Sequence, residues 1–261
     1  MIICSVPTTP NGCLLLTPGL LRFISDDDLT APFMVFDIGV KIASINGLNG
    51  KLKFTYRTYT KYIDMIQKTE TPPYAVKIMI PDDWELTTHI KLAKAWLKSQ
   101  ERKVIIDKLT TLGVVEIKEI LVIRRIIKPL NLVDTTPFKE FIGQGFIYGI
   151  PQHISNALSD GSNIRCSTHP DTCIQHARLI INTISELDEN AEFHLMGPPI
   201  ATVLTKLMDE QKIISADTTS HRVDIKHVKY VNKHANTKSI EMLLFLAKYL
   251  NTTRRRHAGF I

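Results

Sequence analysis

Short apolar runs recur along the chain, and most of them close on an acid, a glycine or a proline. Pro32-Phe-Met-Val-Phe-Asp37-Ile-Gly39, Ala75-Val-Lys-Ile-Met-Ile-Pro81-Asp82-Asp83 and Lys212-Ile-Ile-Ser-Ala-Asp217-Thr-Thr-Ser share this layout. A β-branched run that ends in polar side chains is how a buried parallel strand reaches an active-site rim. Further strands are expected over residues 120–129, 143–153 and 192–199, the first ending in Arg124, Arg125 and Lys128 before a proline. Residues 2–6 and 14–16 read as an initial strand or hairpin around the turn-rich Thr8 to Gly12.

Between these runs the apolar period lengthens to that of a helix. Tyr56, Tyr59, Tyr62, Ile63 and Ile66 share a face within residues 51–68, and Leu92, Ala93, Trp96 and Leu97 form a stripe in one long crossover helix running to about Leu109. The tyrosines read as a packing face, with stacking on a nucleobase as the alternative. Residues 171–187 carry Ile174, Ala177, Ile180, Ile181 and Ile184 at core spacing, and shorter helices are expected over 200–208 and 239–250. Asn46 to Gly50 reads as a flexible rim loop, 156–170 as a polar loop, and Ser25 to Asp28 as a solvated helix cap.

Strand and helix thus alternate over the whole length, which argues an α/β fold with a parallel sheet. Seven strands are assigned, with an eighth near Lys51–Thr55 or in the amino-terminal hairpin, so a (β/α)8 TIM-like barrel leads over an open doubly wound sheet. Residues 1–261 show no composition break and are read as a single domain with a basic tail. In a barrel, strand ends meet at one mouth, which brings Asp37, Asp82 and Asp217 together.

Composition narrows the class. The 44% hydrophobic content of 261 residues supports a proper core, and neither a signal peptide nor an apolar run of bilayer length is present, so a soluble cytoplasmic protein without membrane partners is expected. Four irregularly spaced cysteines fit reduced thiols. The net charge of +6 points toward polyanions, nucleic acid among them.

Two carboxylates at one site can divide labour, one ionised and nucleophilic, the other exchanging protons. At a glycosidic carbon that pairing supports a covalent sugar intermediate. Taken singly, each aspartate could equally cap a following helix. An Asp-x-Gly strand end, a Pro-Asp strand end, a Gly-Ile strand end, His194-Leu-Met196-Gly197 and the final Ser-Ala-Asp-Thr-Thr-Ser, in that order, resemble the tRNA-guanine transglycosylases. They are closer still to the DNA-directed 7-deazaguanine transglycosylases of bacteria and phages. The resemblance covers roughly residues 33 to 222.

It implies Asp217 as the nucleophile at the sugar C1′ and Asp37 as the acid/base carboxylate. Asp82, Gly149, Ile150, Gln152, Met196 and Gly197 would bind the base, with Gly149 letting the backbone approach a flat ligand. The implied partners are a nucleic acid and, as second substrate, a 7-deazaguanine base such as preQ0. The chain reads Asp37-Ile38-Gly39-Val40-Lys41 where the family usually continues Asp-Ser-Gly-Gly-aromatic-Gln. It also lacks the Cys-x-Cys-x2-Cys zinc module of the tRNA enzymes, which favours DNA over tRNA. Arg124, Arg125, Lys128, His221, Arg222, Arg254, Arg255 and Arg256 are the candidate phosphate contacts, against a reading as solvated edges.

Cys166, His169, Cys173 and His176 make a complete tetrahedral zinc set by residue type, but their spacing is unusual and the last two fall in a helix; the proposed chemistry requires no cofactor. His153 and His221 flank the expected pocket. The rival readings are a barrel hydrolase or lyase of small molecules, its acids holding a divalent cation, and a nucleic-acid binding module without chemistry.

Overall fold

A computed structural model of the protein describes residues 2–4, 12–19, 21, 24–123, 135–151, 153, 154, 164, 165, 170–197, 207 and 210–217. Its strands are β1 (Ile2–Cys4), β2 (Cys13–Leu16), β3 (Phe33–Phe36), β4 (Ala75–Met79), β5 (Glu116–Val122), β6 (Ile147–Pro151), β7 (His153–Ile154), β8 (Ile164–Arg165), β9 (Glu192–Met196) and β10 (Ile213–Asp217). Eight of them form one sheet in the order β1-β10-β9-β6-β5-β4-β3-β2, and every ladder is parallel. Strands β7 and β8 form a separate antiparallel pair.

The sheet curls until its two edges, β1 and β2, lie beside one another. One hydrogen bond demonstrates the curvature. The Lys77 ammonium on β4 donates to Ser215 Oγ on β10 at 2.9 Å. Three strands separate β4 from β10 in the ladder, and a flat sheet would hold them roughly 19 Å apart at the usual inter-strand spacing. No lysine spans that, so the two side chains meet across the interior of a nearly closed parallel barrel.

Four α-helices are present among the described residues: α1 (Leu48–Ile66), α2 (Leu86–Lys98), α3 (Gln100–Thr111) and α4 (Pro170–Leu187). The tyrosine face of α1 packs on the sheet. Tyr59 and Tyr62 are fully buried, their rings 5.9 and 5.3 Å from that of Phe36. Trp96 of α2 sits edge-on to Tyr59 at 5.9 Å. Burial on this scale removes Tyr59 and Tyr62 from any base-stacking role, and Tyr56 is half-buried against the same core.

Several boundaries differ from the sequence reading, each for a local reason. Residues 51–55 are helical, so the eighth strand comes from the amino-terminal region instead, where β1 and β2 are parallel edges rather than a hairpin. Helix α1 already begins at Leu48, because Gly47 at φ 73° turns the chain into it, and the expected rim loop is shorter. The long crossover helix is two helices. Ser99 adopts extended backbone between them, and its hydroxyl accepts the Arg102 N–H at 3.1 Å, an N-cap that restarts the helix.

The fifth strand stops at Val122, before Arg124, Arg125 and Lys128, which lie outside the described residues. Asp28, expected to be solvated, is buried and accepts from the Ser25 N–H and hydroxyl at 2.9 and 2.7 Å. The polar loop carries β8, and the helices expected over 200–208 and 239–250 fall outside the described residues apart from buried Leu207.

Cys13, expected as a reduced thiol, is disulfide-bonded. Pairing of this kind depends on proximity in the fold, which irregular spacing does not reveal. No helix of the described residues is long and apolar enough to cross a membrane.

Candidate active site

All strands of the barrel run the same way, so their carboxyl ends share one mouth, and the three expected acids arrive there from β3, β4 and β10. Asp37 immediately follows β3, and its own N–H continues the ladder to Leu16 O at 2.9 Å. Its carbonyl accepts the Tyr62 hydroxyl at 2.9 Å, so α1 holds this peptide from outside the barrel. The carboxylate accepts the Gly39 N–H at 2.9 Å. Gly39 has φ 67° and ψ −177°, a backbone region reserved for glycine, which is the physical reason for the Asp-x-Gly pattern.

The second acid is set by a proline and an ion pair. After β4 the chain still pairs through Ile80 N–H to Ile120 O at 2.9 Å, then passes buried Pro81 into half-buried Asp82. Next in line, Asp83 receives the buried Lys51 ammonium at 2.6 Å, and the same ammonium donates to Ile42 O at 2.9 Å. One lysine on α1 thereby ties together the turns that follow β3 and β4 and fixes the height of Asp82 at the rim.

Asp217 ends β10 and is buried, 4% exposed. Its Oδ1 accepts the backbone N–H of Gly197, just past β9, and its Oδ2 lies 3.3 Å from His194 Nε2. His194 is fully buried, and its Nδ1 lies 2.9 Å from Ser215 Oγ, the same atom that accepts from Lys77.

Electrostatics tie the acids into one site. The pKa of Asp37 is pushed up from 3.8 to about 7, first by burial, then by the Asp217 charge and more weakly by that of Asp82, against the lowering effect of the Gly39 and Ile38 N–H groups. Burial, with the Asp37 charge second, also pushes the Tyr59 and Tyr62 phenols far up, keeping both neutral. A carboxyl raised by burial and by neighbouring acids is the kind of group that can hold and release a proton near neutral pH.

The other expected base-binding positions are distributed unevenly. Gly149 sits within the ladder, paired with Val122 and His194, and its carbonyl accepts the Ile123 N–H at 2.8 Å. A methyl group there would come within 3.1 Å of Ile120 Cγ2 and 3.3 Å of Met196 Sδ. Its lack of a side chain therefore relieves crowding inside the barrel. Ile150 is buried, Met196 half-buried toward Gly149, and the Gly197 N–H is spent on Asp217.

Gln152, His221, Arg222, Arg254, Arg255 and Arg256 lie outside the described residues, as do Cys166 and His169. Of the four residues that match a zinc set by type, Cys173 and His176 are both buried on α4, and burial holds the imidazole of His176 down to about 4, so it is neutral at physiological pH. No group of three or more metal-ligating side chains is found among the described residues.

Lys77, His194 and Ser215 are the polar residues that sequence reasoning passed over as site components. Their signal was present: each is a polar residue within an otherwise apolar strand, and Ser215 shares the alternation of Asp217. Comparison with family models and with curated proteins gives no match for this chain.

Proposed function

We propose that the protein is a nucleic-acid guanine transglycosylase on a (β/α)8 barrel, exchanging guanine in DNA for a 7-deazaguanine base such as preQ0. The observation that carries this reading is the convergence of Asp37, Asp82 and Asp217 at one mouth, with Asp37 raised to about 7 beside an Asp217 that accepts the Gly197 N–H and lies 3.3 Å from His194 Nε2. The ladder order, β1 through β10 in sequence around the barrel with the β7–β8 pair set aside, supports the fold assignment.

The target nucleotide must be extruded, because C1′ and the base edge cannot be reached together inside a stacked duplex. An Asp217 oxygen then bonds to C1′ as the C1′–N9 bond breaks, and Asp37 gives its proton to the departing guanine. The incoming base loses its N9 proton to the Asp37 carboxylate and attacks C1′, expelling Asp217. Atoms and charges balance over the cycle. A carboxyl near pKa 7 suits both proton transfers, since a catalytic acid/base works best when its pKa lies near the ambient pH. Asp82, which adds negative charge at the rim, is assigned to donors on the base edge.

DNA is favoured over tRNA because the chain lacks the Cys-x-Cys-x2-Cys module after Asp217. The test is incubation with labelled guanine and either polymer: label entering DNA, with a trapped sugar adduct on Asp217, is expected. Label entering only tRNA would reassign the substrate. Absence of exchange together with chelator-sensitive turnover of small molecules would favour the hydrolase reading.

A further inference from the structure

Between the mouth and the floor of the barrel runs a line of polar side chains that the base-exchange scheme does not use. Lys77 Nζ lies 2.9 Å from Ser215 Oγ, Ser215 Oγ 2.9 Å from His194 Nδ1, and His194 Nε2 3.3 Å from Asp217 Oδ2. The line joins β4, β10 and β9 across the interior. His194 and Ser215 are both fully buried.

Donor and acceptor chemistry gives the line a direction. An ammonium has only protons to offer, so Lys77 donates and Ser215 Oγ accepts. With one lone pair so engaged, the serine hydroxyl is free to point its own proton at His194 Nδ1. A neutral imidazole that accepts at Nδ1 must carry its proton on Nε2, and Nε2 faces Asp217. The reverse tautomer would set a bare nitrogen lone pair against a carboxylate oxygen.

Lys77 is well placed to fix that polarity because the neighbouring floor charges are taken. Lys118 pairs with Glu192 at 2.6 Å and with Glu116 at 3.8 Å. Burial, set against the attraction of Glu116 and Glu192 and joined by the repulsion of Lys118, holds the Lys77 ammonium down to about 8. At neutral pH it is still mostly a donor.

We propose that Lys77, Ser215 and His194 are a positioning chain, in which the serine fixes the Nε2–H tautomer of His194 and the imidazole N–H, with the Gly197 amide, aims the Asp217 carboxylate. Orientation by an imidazole whose tautomer is set from behind is the logic of catalytic triads, turned here onto a carboxylate nucleophile. The inference deepens the transglycosylase reading and rests on it for its kinetic consequence, but the tautomer is a property of the folded protein alone.

The experiment uses full-length protein labelled with 15N-histidine. Its readout at pH 7.0 is the pair of ring-nitrogen shifts of His194, assigned by their absence in His194→Gln. The wild type is expected to show an unprotonated Nδ1 and a protonated Nε2. Ser215→Ala should shift His194 toward the other tautomer or a mixture, and Ser215→Thr, which keeps the hydroxyl, should restore the wild-type pattern.

Lys77→Met should move the shifts in the same sense as Ser215→Ala, and serves as the second variant if the alanine protein folds poorly. In base exchange, Ser215→Ala should slow adduct formation roughly 10- to 100-fold with little change in KM, as is typical when the group orienting a ligand residue is lost. A protonated Nδ1 in the wild type would overturn the proposal. So would shifts and adduct rate that Ser215→Ala leaves unchanged. If the wild type exchanges no base at all, the reading of function fails, while the tautomer still decides whether the chain is built as described.

Discussion

The two ends of the barrel hold the same kinds of charged side chain and use them in opposite ways. At the floor, Lys118 meets Glu192 at 2.6 Å, and Glu119 takes a forked contact from Arg102, with distances of 2.9, 3.1 and 2.6 Å. Opposite charges there neutralise one another. At the mouth, Asp37, Asp82 and Asp217 crowd together, held by backbone N–H groups, a neutral tyrosine and an imidazole. Paired charge contributes order to a fold; like charge gathered at a rim costs stability and is kept where chemistry needs it.

The contrast is broken most severely at Asp217. Under the proposed reaction, Asp217→Asn should lower base exchange by at least ~10³-fold, the scale of losing a covalent nucleophile, with the circular dichroism spectrum unchanged. If the floor is structural, Glu119→Ala should act in the opposite register. It leaves Arg102 partly buried without its partner and should cost about 3 kcal/mol in chemical denaturation, while nucleic-acid affinity stays constant.

Asp37 sharpens the comparison through pH. Its folded pKa lies above the unfolded value of 3.8, at about 7, so the native state binds the extra proton. The contribution to stability is full below about pH 4 and is lost as pH rises through 7. Asp37→Asn, which cannot ionise, should therefore gain about 2–3 kcal/mol relative to wild type between pH 5 and pH 8, read from paired melts. The same variant should lose exchange activity. The smallest effect is expected for Tyr62→Phe, which removes one hydrogen bond to the Asp37 carbonyl and should cost about 1 kcal/mol with a modest rise in KM.

Much of the mouth was legible in the sequence, because its three acids each terminate an apolar run and strand ends of a parallel sheet must gather. Gly39 was legible for the same reason: an Asp-x-Gly turn needs a backbone that only glycine adopts. What stayed hidden depended on partners remote in sequence. The break between α2 and α3 rests on one serine whose hydroxyl happens to cap, with no proline or glycine to announce it. Nothing local to Lys77 tells that its ammonium finds Ser215 on the far wall. The parallel pairing of β1 with β10 likewise follows from the closing of the sheet and not from any neighbouring residue.

The lysine that crosses the interior also sets a polar bridge under the acids. Lys77 and Ser215 are joined beneath the carboxylates, so two walls of the barrel are tethered just below Asp217. Under the proposed reaction the departing guanine and its replacement meet the same Asp217-bound sugar in turn. The second base must wait for the first to clear while the sugar stays tethered, so turnover would follow a ping-pong order.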